Sequence, residues 1–498
     1  MTMTIAQPPS SQPTGNQPLR SLHTSSFPQI LDQLGISLMV STYQAGKLIL
    51  MRADNGVLNT HFRVFQKPMG IALEGDRLAI GTAAAIWELR NNAEAAQKIS
   101  PSGKHDGCFL PRNLHVTGDI DIHEMAWVGS DLWFINTRFS CLCTYDQDHS
   151  FLPQWRPPFI SAYDLRDRCH LNGLGLRDNR PRYVTALGET DAPGGWRENK
   201  ASGGIVMDIE TNEVLLRGLS MPHSPRWYGD RLWLLESGKG HLSYLDPTTN
   251  ELVCVAQVPG FTRGLDFYGN LAFIGLSQIR ESAVFSGLPL TQTLTERTCG
   301  VWVVDIQTGE ILGFVKFEDA VQEIFSVCVV PGMRFPEVID WDPGLLGSTY
   351  ILPQAVLQNA VQPSQDWEFA ETHFAEGNRL YEAGDKEGAI AAFRKCLVLQ
   401  PTYLPARFNL GVTLGDLERY EAAVTELEKV VANEARHVEA LNSLGFVYFQ
   451  LKQLETAVSY FRRAIAVNPD FQAAQNNLQQ ILPLLENLST APNPQSSV

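Results

Sequence analysis

The sequence predicts two folded parts: a six-bladed β-propeller closed on itself by N-terminal strands, followed by an all-α solenoid of repeated helix pairs. Three observations carry this reading. A short phrase, a turn residue and then a β-rich run, recurs as EGDRLAIGT ending at Thr82, VGSDLWFINT at Thr137, YGDRLWLLES at Ser237 and YGNLAFIGLS at Ser277. An inner-strand sequence from Gln322 has no strands after it, while a hairpin from Ile36 has none before it. Beyond residue 370 the sequence period changes to 34.

The propeller elements follow from the turns. Gly75, Gly129, Gly229 and Gly269 each sit between an apolar segment and a strand-like run, and Asp178 with Asn179 supplies a fifth hairpin. A second turn recurs as DIETNEVL from Asp208, DPTTNELV from Asp246 and DIQTGEIL from Asp305, with Asp opening the turn and Asn or Gly in its left-handed position. Units of about 40 to 60 residues with about four strands each are the mark of a propeller. Inner strands are expected to start near Lys67, Asp121, His170, Met221 and Phe261, with a sixth in QEIFSVCVVPG from Gln322. The hairpin ISLMVSTYQAGKLILM, Ile36 to Met51, then completes the sixth blade and removes the open edge of the ring. Seven blades are the alternative if the stretch 281–298 holds strands.

In the C-terminal part Gly377, Gly411 and Gly445 are 34 apart, as are Ala389, Ala423 and Ala457, then Phe393, Leu427 and Phe461, then Cys396, Val430 and Ala464. Pro401 and Pro469 close the first and third units, and Ala435 stands where the second would have proline. This pattern resembles the tetratricopeptide (TPR) repeat, with QAAQNNLQQILPLLENL as a capping helix over the last apolar face. The expected organisation is a disordered tail over 1–28, the propeller over 29–345, a linker over 346–368, three repeats and their cap over 369–488, and a second tail over 489–498.

The runs SLMVSTYQAGKL, NGLGL, MPHSPRW and GLDF resemble an uncharacterised bacterial family of propeller-like proteins, some of which carry TPR repeats. That resemblance supports the fold and implies no activity.

Composition limits the function. A net charge of -15 opposes nucleic acid and anionic membrane surfaces, both of which need cationic partners. No run of about 18 apolar residues suits a membrane span, and the N-terminus lacks the apolar core of a signal peptide. Eight cysteines at 108, 141, 143, 169, 254, 299, 328 and 396 form no CxxC pair, so reduced thiols in a cytoplasmic protein are expected.

One residue in each inner strand aligns next to the recurring glycine or its replacement: Met69, His123, Asn172, His223, Arg263 and Ser326. Two positions earlier lie Lys67, Asp121, His170, Met221, Phe261 and Ile324. On a period-2 reading, Lys67, Asp121, His123, His170, Asn172, His223 and Arg263 cluster at one mouth of the channel, and Glu124 and Glu323 are expected to join from the neighbouring positions. His123, His170 and His223 are candidate ligands for one divalent transition metal that activates water. Without metal, His123 oriented by Asp121 is a candidate base, with Arg263 stabilising an anion. The competing structural role is a hydrogen bond from each such side chain to the next blade.

Other motifs read as structure. Cys141 and Cys143 point to one face of a strand as buried thiols, His105 stands in a loop, and Trp127, Trp133, Trp227 and Trp233 pack between blades. LNGLGL, Leu171 to Leu176, is followed by no helix start and is not a phosphate loop. In the repeats, a concave groove is expected to carry Phe374, Asn378, Tyr381, Phe408, Asn409, Asn442, Phe446 and Phe449 as a peptide site. None is Lys or Arg, which opposes a clamp for a terminal carboxylate. Two functions remain: an adaptor binding protein or peptide through the groove with the propeller as a second surface, or a metal-dependent hydrolase or lyase at the channel mouth to which the repeats bring substrate.

Overall fold

A computed structural model describes residues 20–99, 101, 103–278, 287–293, 298–318, 320–342, 346, 349–353, 356 and 365–489. The chain divides into two compact units, Met1–Tyr350 and Ile351–Val498.

Unit one is a six-bladed β-propeller. Blades 1 to 5 have inner strands Ile71–Glu74, Ile122–Val128, Leu171–Arg177, Pro222–Tyr228 and Phe261–Tyr268, each followed outward by antiparallel strands. Blade 6 is assembled from both ends of the unit. Its inner strand Ser326–Pro331 pairs antiparallel with Ile36–Thr42, Met39 opposite Cys328, and Lys47–Asp54 and Val57–Val64 follow outward. The expected closure therefore stands. Stretch 281–298 lies partly outside the described residues, and those described within it include the short helix Pro289–Thr293.

Every seam between blades has its own apolar cluster, because alternate residues of each strand face opposite neighbours. Phe273, Val301 and Val315 of blade 5 meet Leu38, Ile49 and Met51 of blade 6, and Trp233 and Leu235 of blade 4 meet Leu265 and Ile274 of blade 5. Side-chain hydroxyls at the ends of second strands staple several seams: Thr137 donates to Leu171 O at 2.7 Å, Ser277 donates to Ile324 O at 2.8 Å, and Ser41 donates to Met69 O.

A strand and the start of a helix lie before the expected boundary at residue 29. Ser21–His23 adds a fifth strand to blade 5 through Ile311–Phe317, and helix Ser26–Leu34 buries Phe27 and Leu31 in the seam of blades 5 and 6. Polar residues hid this segment: Thr24 N–H donates to Phe314 O and the Ser26 hydroxyl to Leu312 O, so their hydrogen bonds are spent on the sheet edge. At the other end Pro336–Val338 runs parallel to Gly107–Phe109 and adds a fifth strand to blade 1. This strap is anchored by Glu337, whose side chain is 4 % exposed and is surrounded by Arg63 Nε at 3.1 Å, His61 Nε2 at 3.4 Å, His105 Nε2 at 3.6 Å and Arg52 at 3.8 Å. His105 stands in the expected loop, just before the strand Gly107–Val116, but its side chain is buried as a partner in this cluster.

Unit two contains three helix pairs, Gln365–Glu382 with Lys386–Leu399, Leu404–Asp416 with Tyr420–Asn433, and Val438–Gln450 with Leu454–Val467, followed by Gln472–Ser489. The recurring glycines exist for close approach: a Cβ on Gly377 would lie 2.4 Å from Phe393, on Gly411 2.7 Å from Leu427, and on Gly445 2.6 Å from Phe461. Ala435 is tolerated because the second helix of its pair closes as the other two do. Glu434 N–H bonds to Val430 O at 2.8 Å, matching Gln400 to Cys396 and Asn468 to Ala464.

Glu337 lies within ion-pair distance of both Arg52 and Arg63, so Glu337→Gln leaves these two guanidiniums facing one another without the carboxylate between them. We expect a loss of about 3 kcal/mol or more, read as a lower urea midpoint for the propeller transition of the full-length chain.

Candidate functional site

The site is built where the inner strands begin. Lys67, Asp121, His170 and Met221 occupy equivalent positions there, and all four adopt left-handed backbone conformations with φ between 49° and 55°. Four non-glycine residues in that region cost about 1 kcal/mol or more each, a strain that such a repeated position keeps. Register shifts follow in blades 2 to 5, between Phe134 and Asn136, Leu171 and Gly173, His223 and Arg226, and Thr262 and Leu265. These bulges re-aim the side chains on either side of them.

Five of the expected residues, Asp121, His123, His170, His223 and Arg263, line one cavity of about 300 Å³, together with Glu323. Lys67 and Asn172 do not line it. Lys67 is exposed, its Nζ 5.4 Å from the ring centre of Tyr43, a residue of the cavity wall. The bulge at Asn172 turns its amide into the seam, where it accepts from Thr185 Oγ1 at 2.6 Å and donates to Pro222 O at 3.1 Å in the next blade. Glu124 also turns away, forming a two-pronged pair with Arg226 at 3.0 Å for each contact and accepting from Leu174 N–H. That pair ties blade 2 to blade 4, and Asp266 similarly accepts from Val329 N–H to tie blade 5 to blade 6.

The hydrogen bonds fix the states of two histidines. His123 Nδ1 lies 3.1 Å from Asp121 O and 2.7 Å from Thr137 Oγ1, whose own proton goes to Leu171 O. Nδ1 therefore carries hydrogen, and Nε2 accepts from Arg263 Nη2 at 2.8 Å. His223 repeats the arrangement: Nδ1 is 3.0 Å from Met221 O and 2.9 Å from Ser237 Oγ, leaving Nε2 as the acceptor. Burial, and next the Arg263 charge, hold both imidazoles well below their ordinary pKa, so both are neutral at pH 7.

His170 differs. Its Nδ1 lies 2.8 Å from Asp167 Oδ2, which also accepts from Trp196 Nε1 at 2.9 Å. Burial pushes the Asp167 carboxyl up but is outweighed by His170, Trp196 and Arg197, which leave it below its ordinary value. Trp196 was not among the expected site residues; it lies in the long connection between the second and third strands of blade 3, where no periodicity marks it.

Two expected chemistries are not assembled. Among the described residues no three His, Cys, Asp or Glu side chains are placed to hold a metal ion, and Arg263 occupies the Nε2 lone pair of His123. His123 is not oriented by the Asp121 carboxylate either, which stands 4.0 Å away while the backbone carbonyl takes the hydrogen bond. What the cavity offers is a guanidinium, two carboxylates, an acceptor nitrogen on His223 and aromatic walls.

In the repeats the expected groove residues divide. Phe374 packs on Phe393 and Tyr403, and Phe408 on His437. Phe449 is half-buried in the cluster under the last helix. Asn409 donates to Asn378 at 2.7 Å, and Asn477, which was not anticipated, donates to Asn442 at 3.0 Å. Tyr381 donates to Asp416 at 2.7 Å and remains 37 % exposed, while Phe446 is 45 % exposed. All eight cysteines are free thiols, Cys254 alone being exposed, and Cys141 and Cys143 have their sulfurs 3.4 Å apart in the core.

Together these features define a six-bladed propeller with a polar chamber at the start of its inner strands, carried on the same chain as a tetratricopeptide array. Residues 25–339, more than half of the chain, match the family described as Domain of unknown function (DUF4915), and the chain belongs to that family. Tetratricopeptide repeats match at 370–403, 404–437 and 438–471. No curated protein matches the chain. Solved structures similar to part of it include the first TPR domain of Spaghetti (RPAP3) bound to an HSP90 peptide, at 22% identity over 24% of this chain and 95% of that one, TM-score 0.24. The Arabidopsis OM64 TPR domain is 18% identical over 24% of this chain and 98% of that one, TM-score 0.24. The Sgt2 TPR domain from Aspergillus fumigatus is 16% identical over 28% of this chain and 93% of that one, TM-score 0.25.

The neutral histidines make stability depend on pH. Their unfolded-state pKa is about 6.5 and their folded value lies lower, so their contribution is complete above that pH and is lost as the pH falls below it, where the unfolded chain takes up protons first. Thermal unfolding followed from pH 8 to 5 should show a falling midpoint, and the double variant His123→Asn, His223→Asn should flatten that slope.

Proposed function

We propose that this protein is a non-enzymatic interaction adaptor of the cytoplasm, whose repeats hold a segment of a partner protein and whose propeller presents a second binding surface. The observation that carries the reading is the pair of exposed aromatic side chains, Phe446 and Tyr381, on first helices of an array whose amides are already ordered by pairing with one another. Rigid aromatic groups flanked by fixed amides suit an extended peptide, because the rings supply area at low entropic cost and the amides can engage its backbone. Eight unpaired cysteines fit a reducing compartment. Among the described residues no helix is long and apolar enough to cross a membrane. The net charge of -15 disfavours nucleic acid. The alternative, a metal-dependent hydrolase or lyase at the channel mouth, lacks the support of a ligand set among the described residues.

The test is selection of random displayed peptides on the full-length protein, followed by calorimetry on Phe446→Ala and Tyr381→Ala. Removing an anchor at a groove should weaken the selected peptides by about 5- to 30-fold, with the unfolding midpoint little changed because both side chains are exposed. Equal affinity for the wild type and both variants would remove the groove from the function.

A further inference from the structure

The propeller cavity keeps charges of opposite sign close without pairing them. Arg263, from blade 5, gives one N–H to His123, stacks its guanidinium 3.9 Å from the ring centre of Phe325, and leaves Nε without a partner among the described residues. No carboxylate of the described residues lies within ion-pair distance of it. Asp121, at the entry to blade 2, and Glu323, just before the inner strand of blade 6, line the same cavity. Neither forms an ion pair with Lys or Arg among the described residues, and the nearest ring nitrogen to Asp121 belongs to His123, which is neutral.

Such an arrangement is costly as it stands, since half-buried charges that meet across the cavity without a direct ion pair lose part of their hydration and recover only part of it. The sign of the whole cavity discriminates among ligands. Two carboxylates against one guanidinium disfavour a simple anion, while a simple cation would meet the carboxylates and leave Arg263 without a partner. A ligand with both charges satisfies the two sets in one event. The planar fork of Arg263 fits a carboxylate, and an ammonium finds acceptors in Asp121, Glu323 and His223 Nε2. Beside these lies an apolar wall of Leu187, Trp196, Met221 and Phe261, part of one buried cluster, suited to a hydrocarbon or aromatic group. The volume of about 300 Å³ is at the small end of ligand sites, enough for a metabolite and not for a folded segment. Two of the participants, Asp121 and Met221, sit at the strained left-handed positions, where strain concentrates when a site is built.

We propose that this cavity binds a free α-amino acid with an apolar side chain: the carboxylate on Arg263, the ammonium toward Asp121 and Glu323, and the side chain against Trp196, Met221 and Phe261. Binding is to the propeller and is independent of any peptide held by the repeats.

The test is calorimetry on the full-length protein with L-leucine, L-methionine and L-phenylalanine, each beside its desamino acid and its decarboxylated amine. At least one amino acid should bind, with both single-charge counterparts weaker by about tenfold or more. Glu323→Gln should weaken that amino acid by about tenfold while leaving the desamino acid unchanged or tighter, a split that a purely structural role for Glu323 would not produce. Arg263→Gln should remove amino acid and desamino acid binding alike; if it does not fold, the Glu323→Gln comparison decides. The proposal is overturned if none of the three amino acids binds at about 10 mM, if a desamino acid binds as tightly as its parent, or if Glu323→Gln leaves the affinity for the amino acid unchanged.

Discussion

The pairing of Ile36–Thr42 with Ser326–Pro331 is the constraint on which the propeller depends. A ring of blades has no free seam only if the last blade meets the first, and here the meeting blade is made from both ends of the unit. Its two faces bury clusters against blade 5 on one side and blade 1 on the other, so the same strands that supply backbone hydrogen bonds also fill two seams. The flanking additions, Ser21–His23 outside blade 5 and Pro336–Val338 outside blade 1, cover the blades on either side of the closure. Their contribution protects sheet edges as much as it buries area.

The channel follows from this ring. Six inner strands converge, but their polar side chains have two destinations, chosen by the bulges. Asn172, Glu124 and Asp266 are spent on holding neighbouring strands in register, each meeting a backbone group. His123 and His223 each use one nitrogen for the same purpose, through the carbonyl two residues before and a hydroxyl from the second strand. Of their second nitrogens, that of His123 is taken by Arg263, and that of His223 remains for the cavity with Arg263, Asp121, Glu323 and His170. Structural and binding roles are thus divided between two atoms of one imidazole ring.

Much of this was legible in the sequence, for identifiable reasons. Hairpin turns announce themselves through Gly75, Gly129, Gly229 and Gly269, all of which take left-handed backbone conformations that glycine adopts without strain. The closure was legible because an inner strand without followers and a hairpin without a predecessor complete one another. The glycine and wedge positions of the repeats were legible because close helix crossing admits few residues. What escaped was of another kind. A bulge breaks the period of two without changing the residue types, so Asn172 turns into the seam, while Glu124, next to His123, follows the alternation of the strand and faces away from it. Nothing in the sequence marks Arg226, because its partner Glu124 comes from two blades away. The segment around Ser21–Leu34 and the strap at Glu337 have compositions set by the edge or cluster they serve, and the partner is about 290 residues distant for the first and about 275 to 285 for the second.

Those separations carry a consequence for the order of events during synthesis. Blade 6 cannot form until its inner strand has left the ribosome, by which time the strands it must join have waited for most of the unit to be made. Until then Leu38, Ile49 and Met51, all buried in the finished ring, lack Val327 and Val329 of the inner strand they pack with. Contacts so distant in sequence form slowly and leave apolar strand edges open in the interval. The helical repeats face no such delay, because each pair packs on the one made just before it.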